Sequence, residues 1–377
     1  MWAVLGVVGA LTVISGVLPA SVASQVALVR GGPIMAFLVA ITVLAELADR
    51  AGVFDAAAGV CARAARGSTR GLFLLIAALG TLTTIGMSLD TTAVLLTPVV
   101  LAVATRLGLA PLPFAFLAVW IANTASLLLP VSNLTNLLAV QHLQLSTLAF
   151  AARMSLPEIV AVTITVGYLA VVFRRDLTGR YELPEPAAVQ DRALFRICTA
   201  ACVALAPAVL VGVQPWVAAT VCAAVSAAAF WWRRGASLTW SLIPWRIVIF
   251  TEGLFLIVTT LARHGGTTVL AHLVGHSALA TTFVAAGLGN VVNNLPAYLA
   301  VEPVTSTAHP TQLLAALLGT NAGPLVLVWG SLATLLWRDR CRARGLHISA
   351  GRFGLIGLGG VPLVLVGTWA ALMITSG

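Results

Sequence analysis

GLFLLIAALGTLTTIGMSLDTTAVLLTPVVLAVAT, residues 71–105, decides what kind of fold this chain has. A helix rises about 1.5 Å per residue, so about 20 apolar residues cross the ~30 Å hydrocarbon core of a bilayer. This run is too long for one crossing, and its centre, Ser88-Leu89-Asp90-Thr91-Thr92, is polar without having the character of a solvated loop. Two crossing helices joined by a loop would need longer arms than the roughly 13 to 17 residues on either side. A re-entrant hairpin with its tip at Asp90 fits better, because non-helical backbone at that depth is tolerated only where protein or a water-filled cavity surrounds it. Arg70 and Arg106 then mark the cytoplasmic side at both ends.

Outward from the hairpin the same pattern continues. Trp2 to Leu18 and Pro33 to Leu47 read as two spans, and Asp49 to Arg70, with Arg50, Arg63, Arg66 and Arg70, reads as a helix in the interface. Pro113 to Val140 is a long apolar run broken at Pro130-Val131-Ser132-Asn133-Leu134-Thr135-Asn136, and Leu156 to Phe173 is a span that ends in Arg174-Arg175. The second half offers spans at Leu194 to Val213, Trp216 to Trp232 and Trp245 to Leu261, then an arm carrying His264, His272 and His276. A second hairpin, Leu279 to Ala300, is interrupted at Asn290 to Asn294. A second broken helix, Leu313 to Leu336, is interrupted at Thr320 to Pro324 and at Gly330-Ser331, and the last span is Phe353 to Ile374.

The composition agrees with a bilayer as solvent: 60% of the 377 residues are hydrophobic and 9% are charged. The net charge of +9 comes from arginines in short loops, which stay on the cytoplasmic side, and no basic stripe with interleaved aromatics points to nucleic acid. The five cysteines form no CxxC pair; Cys198 and Cys202, one turn apart, suit packing better than a soft metal. His272 and His276 resemble half a zinc site without a third ligand nearby. No HExxH, GxSxG or P-loop pattern is present, so neither an enzyme nor a cofactor is expected.

Placing the basic loops inside puts Arg106, Arg174-Arg175, Arg233-Arg234 and the loop from Arg338 to Arg352 on one side, and makes the second hairpin enter from the other. The expected fold is therefore all-α, a polytopic membrane protein of two inverted repeats, each with a re-entrant hairpin and a broken helix. Residues 1–175 form the first repeat, 176–193 a cytoplasmic linker and 194–377 the second repeat. Asn123-Thr124-Ala125-Ser126 to Leu137-Leu138 aligns without gaps on Asn321-Ala322-Gly323-Pro324 to Leu335-Leu336, and Asp90-Thr91-Thr92-Ala93 falls near Asn294-Leu295-Pro296-Ala297. Two spans precede the interfacial arm in the first half and three in the second, so the first repeat is expected to be one scaffold helix short.

Paired interruptions in corresponding positions point to a transporter binding site. Asp90 is the one carboxylate expected near mid-membrane in the first half, and it serves either as a functional charge or as the cap of the returning half-helix. Thr91, Asn123, Ser132, Asn133, Thr135 and Asn136 in the first half, with Asn293, Asn294, Thr320, Asn321 and Ser331 in the second, are neutral donors and acceptors. Each could equally satisfy backbone groups freed by the breaks; as a set they would surround a small polar solute. Glu46, Glu158 and Glu252 are lesser candidates.

Ser88-Leu89-Asp90-Thr91-Thr92-Ala93-Val94-Leu95-Leu96-Thr97-Pro98, Asn123-Thr124-Ala125-Ser126, Ser132-Asn133-Leu134-Thr135-Asn136, Pro244-Trp245-Arg246-Ile247-Val248-Ile249-Phe250, Asn293-Asn294-Leu295-Pro296 and Gly330-Ser331-Leu332-Ala333-Thr334-Leu335-Leu336-Trp337 carry a resemblance over nearly the whole chain. At these motifs the chain resembles the arsenical pump membrane protein family of the ion transporter superfamily. The resemblance implies a multi-pass protein of the prokaryotic plasma membrane that exports arsenite or antimonite in exchange for protons, in some members with a soluble ATPase subunit as partner. The chain departs from the family pattern at Leu89, where Asn is frequent, at Asn321, where Asp is frequent, and at Leu325, where Lys is frequent. A neutral trihydroxide needs hydrogen bonds more than counter-charges; the alternative expectation is a sodium- or proton-coupled carrier of a small anion such as a dicarboxylate.

Overall fold

Backbone polar groups have no water partner inside a bilayer, which leaves helices as the economical way to thread an apolar chain across it. The computed structural model describes residues 2–183, 190–235, 242–265, 268–275, 277–305 and 310–376. Among these the only β-pairing is an isolated bridge between Ser68 and Arg180. Eight of the described helices are long and apolar enough to cross a membrane.

The chain begins with α1 (Trp2–Ile14) and α2 (Ala20–Arg50). The second helix starts earlier than its sequence suggests: Gly31-Gly32-Pro33 looks like a helix start, yet the helix runs through that point as a π-helical turn, Gln25–Gly31. Glycine and proline at a first turn are compatible with a continuing helix when the local ladder widens to i→i+5. Of the stretch expected to lie in the interface, Val53–Ala64 forms a short helix, α3, that buries Phe54, Ala58 and Ala62, one face at helical spacing.

The first hairpin consists of α4 (Thr69–Gly86) and α5 (Leu89–Arg106). Its legs are 18 residues each, longer than expected, because α4 takes over Thr69 and Arg70 from the amphipathic stretch and α5 takes in Leu89 to Thr92, which leaves the break at Met87 and Ser88 rather than across Ser88 to Thr92. Helix α3 packs against both legs, so the start of α4 and the return of α5 share its side of the molecule. The first broken helix follows as α6 (Pro111–Thr124) and α7 (Leu134–Leu143). Its interruption begins at Ala125, earlier than expected, and ends at Asn133. Then come α8 (Thr147–Val172), α9 (Arg192–Leu210), α10 (Pro215–Arg234), α11 (Trp245–Arg263) and the short α12 (Thr268–Val274). His272 is exposed in the last turn of α12, and His276 lies outside the described residues.

The second hairpin is α13 (Ala278–Val292) and α14 (Asn294–Val301), and α12 packs against both of its legs. Asn290 sits inside α13 rather than in the break, which is confined to Asn293 with φ 89°. The second broken helix is α15 (Pro310–Ala322) and α16 (Leu332–Ala343), so Thr320 and Asn321 occupy the last turn of α15. Helix α17 (Ala350–Ser376) closes the chain.

Packing interleaves the two ends of the sequence. α1 lies along α11, α2 along α10 and α8 along α17. The α1–α11 crossing is close because it is built on glycine: a Cβ on Gly253 would collide with the Leu5 carbonyl oxygen, and one on Gly9 would stand 2.6 Å from the Gly253 carbonyl oxygen. α6 is wedged between the legs of the first hairpin and α15 against those of the second, and both are buried along nearly their full length.

Candidate functional site

A helix entering from a break exposes its first amides, which need acceptors. Ser88 supplies one for α5: its Oγ accepts from the Thr91 amide at 3.1 Å and lies 3.0 Å from Thr91 Oγ1. Ser331 repeats the device for α16, with the Thr334 amide at 3.0 Å and Thr334 Oγ1 at 2.8 Å. Asn133 caps α7 by accepting from the Thr135 amide at 3.2 Å. Asn293 precedes α14 without a side-chain cap, and its Nδ2 donates to the Trp329 carbonyl at 3.1 Å.

Asp90 is therefore not the cap. It is the second residue of α5, and its Oδ1 is buried with no hydrogen-bond partner. Two cavities meet at it. One, of about 80 Å³, runs from Asp90, Thr91 and Asn133 along α2 through Phe37, Ile41 and Thr42 to Glu46. The other, of about 20 Å³, is lined by Asp90, Asn133, Thr251, Asn293, Asn294 and Leu332 among others. The N-termini of α5, α7, α14 and α16 thus converge there, each carrying partial positive charge from aligned peptide dipoles. Neither cavity is lined by Lys or Arg. Glu46 is exposed toward its own helix end, where it pairs with Arg50 at 3.1 Å.

Behind the cavities the two broken helices are tied together. Thr135 Oγ1 donates to Asn321 Oδ1 at 2.7 Å, and Asn321 Nδ2 donates to Asn136 Oδ1 at 2.9 Å. Asn136 Nδ2 in turn serves the carbonyls of Ser126 at 2.7 Å and Leu129 at 2.9 Å, both freed by the first break. Ser132 Oγ donates to the Ile85 carbonyl at 3.0 Å and so pins that break to α4. Thr320 bonds the Ala316 carbonyl of its own helix at 3.0 Å. Asn123 Nδ2 donates to the Val119 carbonyl at 2.8 Å, and its Oδ1 is buried and unpartnered.

Of the twelve residues singled out in the sequence, Asp90, Thr91, Asn133, Asn293 and Asn294 line the cavities. Thr135, Asn136 and Asn321 form the link between halves, and Asn123, Ser132, Thr320 and Ser331 sit behind it or at a helix cap. Three further residues carry weight. Asn290 Oδ1 accepts from the amides of Val326 at 3.0 Å and Leu327 at 2.9 Å, while its Nδ2 donates to the Gly323 carbonyl at 2.9 Å. Glu158, 3% exposed, accepts from the Leu127 amide at 2.9 Å. Glu302 on the second hairpin accepts from the Tyr298 hydroxyl at 3.2 Å and lies 3.7 Å from His142 at the end of α7. The signal for Glu158 and Glu302 was their charge inside apolar runs; their partners become neighbours only in the folded chain.

A multi-pass helical protein whose interrupted segments meet in its interior is a membrane transporter in architecture. The family model described as Citrate transporter (CitMHS) matches residues 1–334. The arsenical pump membrane protein of Escherichia coli is 31% identical over 366 residues, covering 90% of this chain and 85% of that protein. The chain belongs to this citrate transporter family, is related over most of its length to the arsenical pump membrane proteins, and is a multi-pass protein of the plasma membrane. The arsenical pump membrane protein of Yersinia enterocolitica is 32% identical with the same coverage. The crystal structure of the Alcanivorax borkumensis YdaH transporter shares the fold, with a TM-score of 0.53 and 17% identity over 91% of this chain and 85% of that one.

Proposed function

We propose that this protein exports arsenite or antimonite as the neutral trihydroxide in exchange for protons, with Asp90 as the proton carrier. The observation that carries the reading is the Asp90 carboxylate, one oxygen buried without a partner, at the meeting of two cavities and four helix N-termini. An ionisable group at such depth is costly, and Ser88 already does the capping, which leaves binding as the reason to keep it. A cavity of about 80 Å³ with carboxylate, hydroxyl and amide groups and no Lys or Arg suits a small uncharged solute. The relatives bearing the name arsenical pump support the same substrate class.

We further read residues 1–175 and 194–377 as inverted repeats joined by the cytoplasmic linker 176–193. Supporting this, each half carries an interfacial helix packed on both legs of a hairpin, followed by a broken helix. The larger cavity reaches from Asp90 toward the Arg50 end of α2, which makes that path the cytoplasmic approach. A second reading has one specific support: four converging helix N-termini would also hold a small anion, so a sodium- or proton-coupled dicarboxylate carrier is the alternative.

Purified protein in proteoliposomes separates the two. Arsenite flux driven by an imposed pH gradient, without any ATPase added, is the expected result. A soluble ATPase partner would add to this exchange rather than replace it. Absence of arsenite flux under every gradient, together with sodium- or proton-driven dicarboxylate uptake, would replace the first reading with the second.

A further inference from the structure

An interruption at membrane depth frees backbone amides that must find acceptors. At the second break the acceptor is Asn290, whose Oδ1 takes the amides of Val326 and Leu327. At the first break the amides freed near the equivalent place turn to a carboxylate on a different helix. Leu127 donates to Glu158 Oε2 at 2.9 Å, and the Leu128 amide also interacts with the carboxylate. The other oxygen, Oε1, is buried with no partner. Both breaks are thus clamped through their freed amides, one by a side chain that cannot titrate and one by a side chain that can.

We propose that Glu158 is the positioning residue of the first break, a clamp whose grip on Leu127 and Leu128 depends on whether its carboxyl carries a proton. Hydrogen bonds to an ionised acceptor are roughly twice as strong as neutral ones, so a proton on Glu158 loosens the Ala125–Leu129 segment without removing the acceptor. That segment leads directly into Asn133, which caps α7 and lines both cavities. Among the described residues no charged side chain pairs with the clamp. Arg153 stands more than a turn away on α8, and α6 carries no charged residue. On α17 the Thr375 hydroxyl bonds the Arg153 carbonyl at 2.8 Å, which puts Arg352 at the far end of that helix. Arg192 and Arg196 lie in the first turns of α9, and Arg70 in the first turn of α4. Among the described residues the carboxylate's hydrogen bond is the one from the Leu127 amide, and it makes no ion pair.

The clamp stands independently of the transport reading; its role in exchange rests on that reading. The test places a reporter at the partly buried Leu128, as Leu128→Cys in the full chain with the five native cysteines replaced, and compares maleimide labelling with and without Glu158→Gln. Glutamine keeps a neutral acceptor at the same place and matches the protonated acid at every pH. The expected result is labelling several-fold faster in the Glu158→Gln protein at alkaline pH, with the difference closing as the pH is lowered. Equal rates throughout, or a difference that does not close with pH, would overturn the proposal. A closing difference in a protein that shows no pH-driven arsenite flux would count against the coupling reading while leaving the clamp in place.

Discussion

At the scale of single residues, Ser88 takes the capping bond of α5 and leaves the Asp90 carboxylate unengaged. Asp90→Asn should therefore insert and fold normally while losing pH-driven arsenite flux by about tenfold or more. Detergent size-exclusion profiles and proteoliposome flux check both halves of that statement. Asn136 has the opposite character, since it satisfies two buried carbonyls and the amide of Asn321 at once. Asn136→Ala should cost about 1–3 kcal/mol in stability for the orphaned groups, seen as a lower thermal midpoint. Asp90 was legible from sequence because it is a lone charge in an apolar run. The Glu158 clamp was not, because its partners lie 31 residues away and meet it only after folding.

At the scale of elements, hairpins and broken helices could be read from apolar length and from polar interruptions, but their edges could not. The second helix hides its start because glycine and proline are breakers in general and tolerated in a π-turn in particular. The Asn290 to Asn294 stretch looks like one wide break, yet only Asn293 leaves the helix; Asn290 stays helical and spends its polarity on the neighbouring loop. One cap offers a pH test. Asp191 accepts from the amides of Ala193 and Leu194 at the start of α9 and from Arg233 at 2.8 Å. The Arg233 hydrogen bond, then the amides, hold its carboxyl below the usual carboxylate range. A folded value below the unfolded one gives stability that is present above the ordinary value of about 4 and is lost as pH falls through the folded one. Asp191→Asn, which keeps a capping oxygen, should lower the thermal midpoint at neutral pH, and the gap from the parent should close in acid.

At the scale of the molecule, the proposed sidedness rests on the arrangement of basic loops. Helices α7 and α8 are joined at Gln144, and α8 leads into Thr178 beside the start of α4, where the Ser68–Arg180 bridge forms. A cysteine at Gln144 should be labelled only from outside intact cells, and one at Thr178 only after the cytoplasm is opened. Labelling of both from the same side would remove the single crossing by α8 on which the sidedness depends. The class of molecule and its two interrupted pairs were visible in composition and spacing. The cross-half bonds of Asn321 with Thr135 and Asn136 were not, since residues 185 and 186 apart leave no local pattern that pairs them.

The interleaving of the chain's ends bears on how the protein is made. When α1 emerges from the ribosome, the glycine surface it will lie against, around Gly253, has not yet been synthesised, and α2 likewise waits for α10. The early helices must dwell in lipid, or against the insertion machinery, with their mates still untranslated. Residues 1–175 produced alone should accordingly be inserted but cleared by membrane quality-control proteases. Supplying residues 190–377 as a separate polypeptide in the same cell should lengthen their half-life, measurable by pulse-chase. The first two helices, in this protein, find their mates only after more than half of the message has been read.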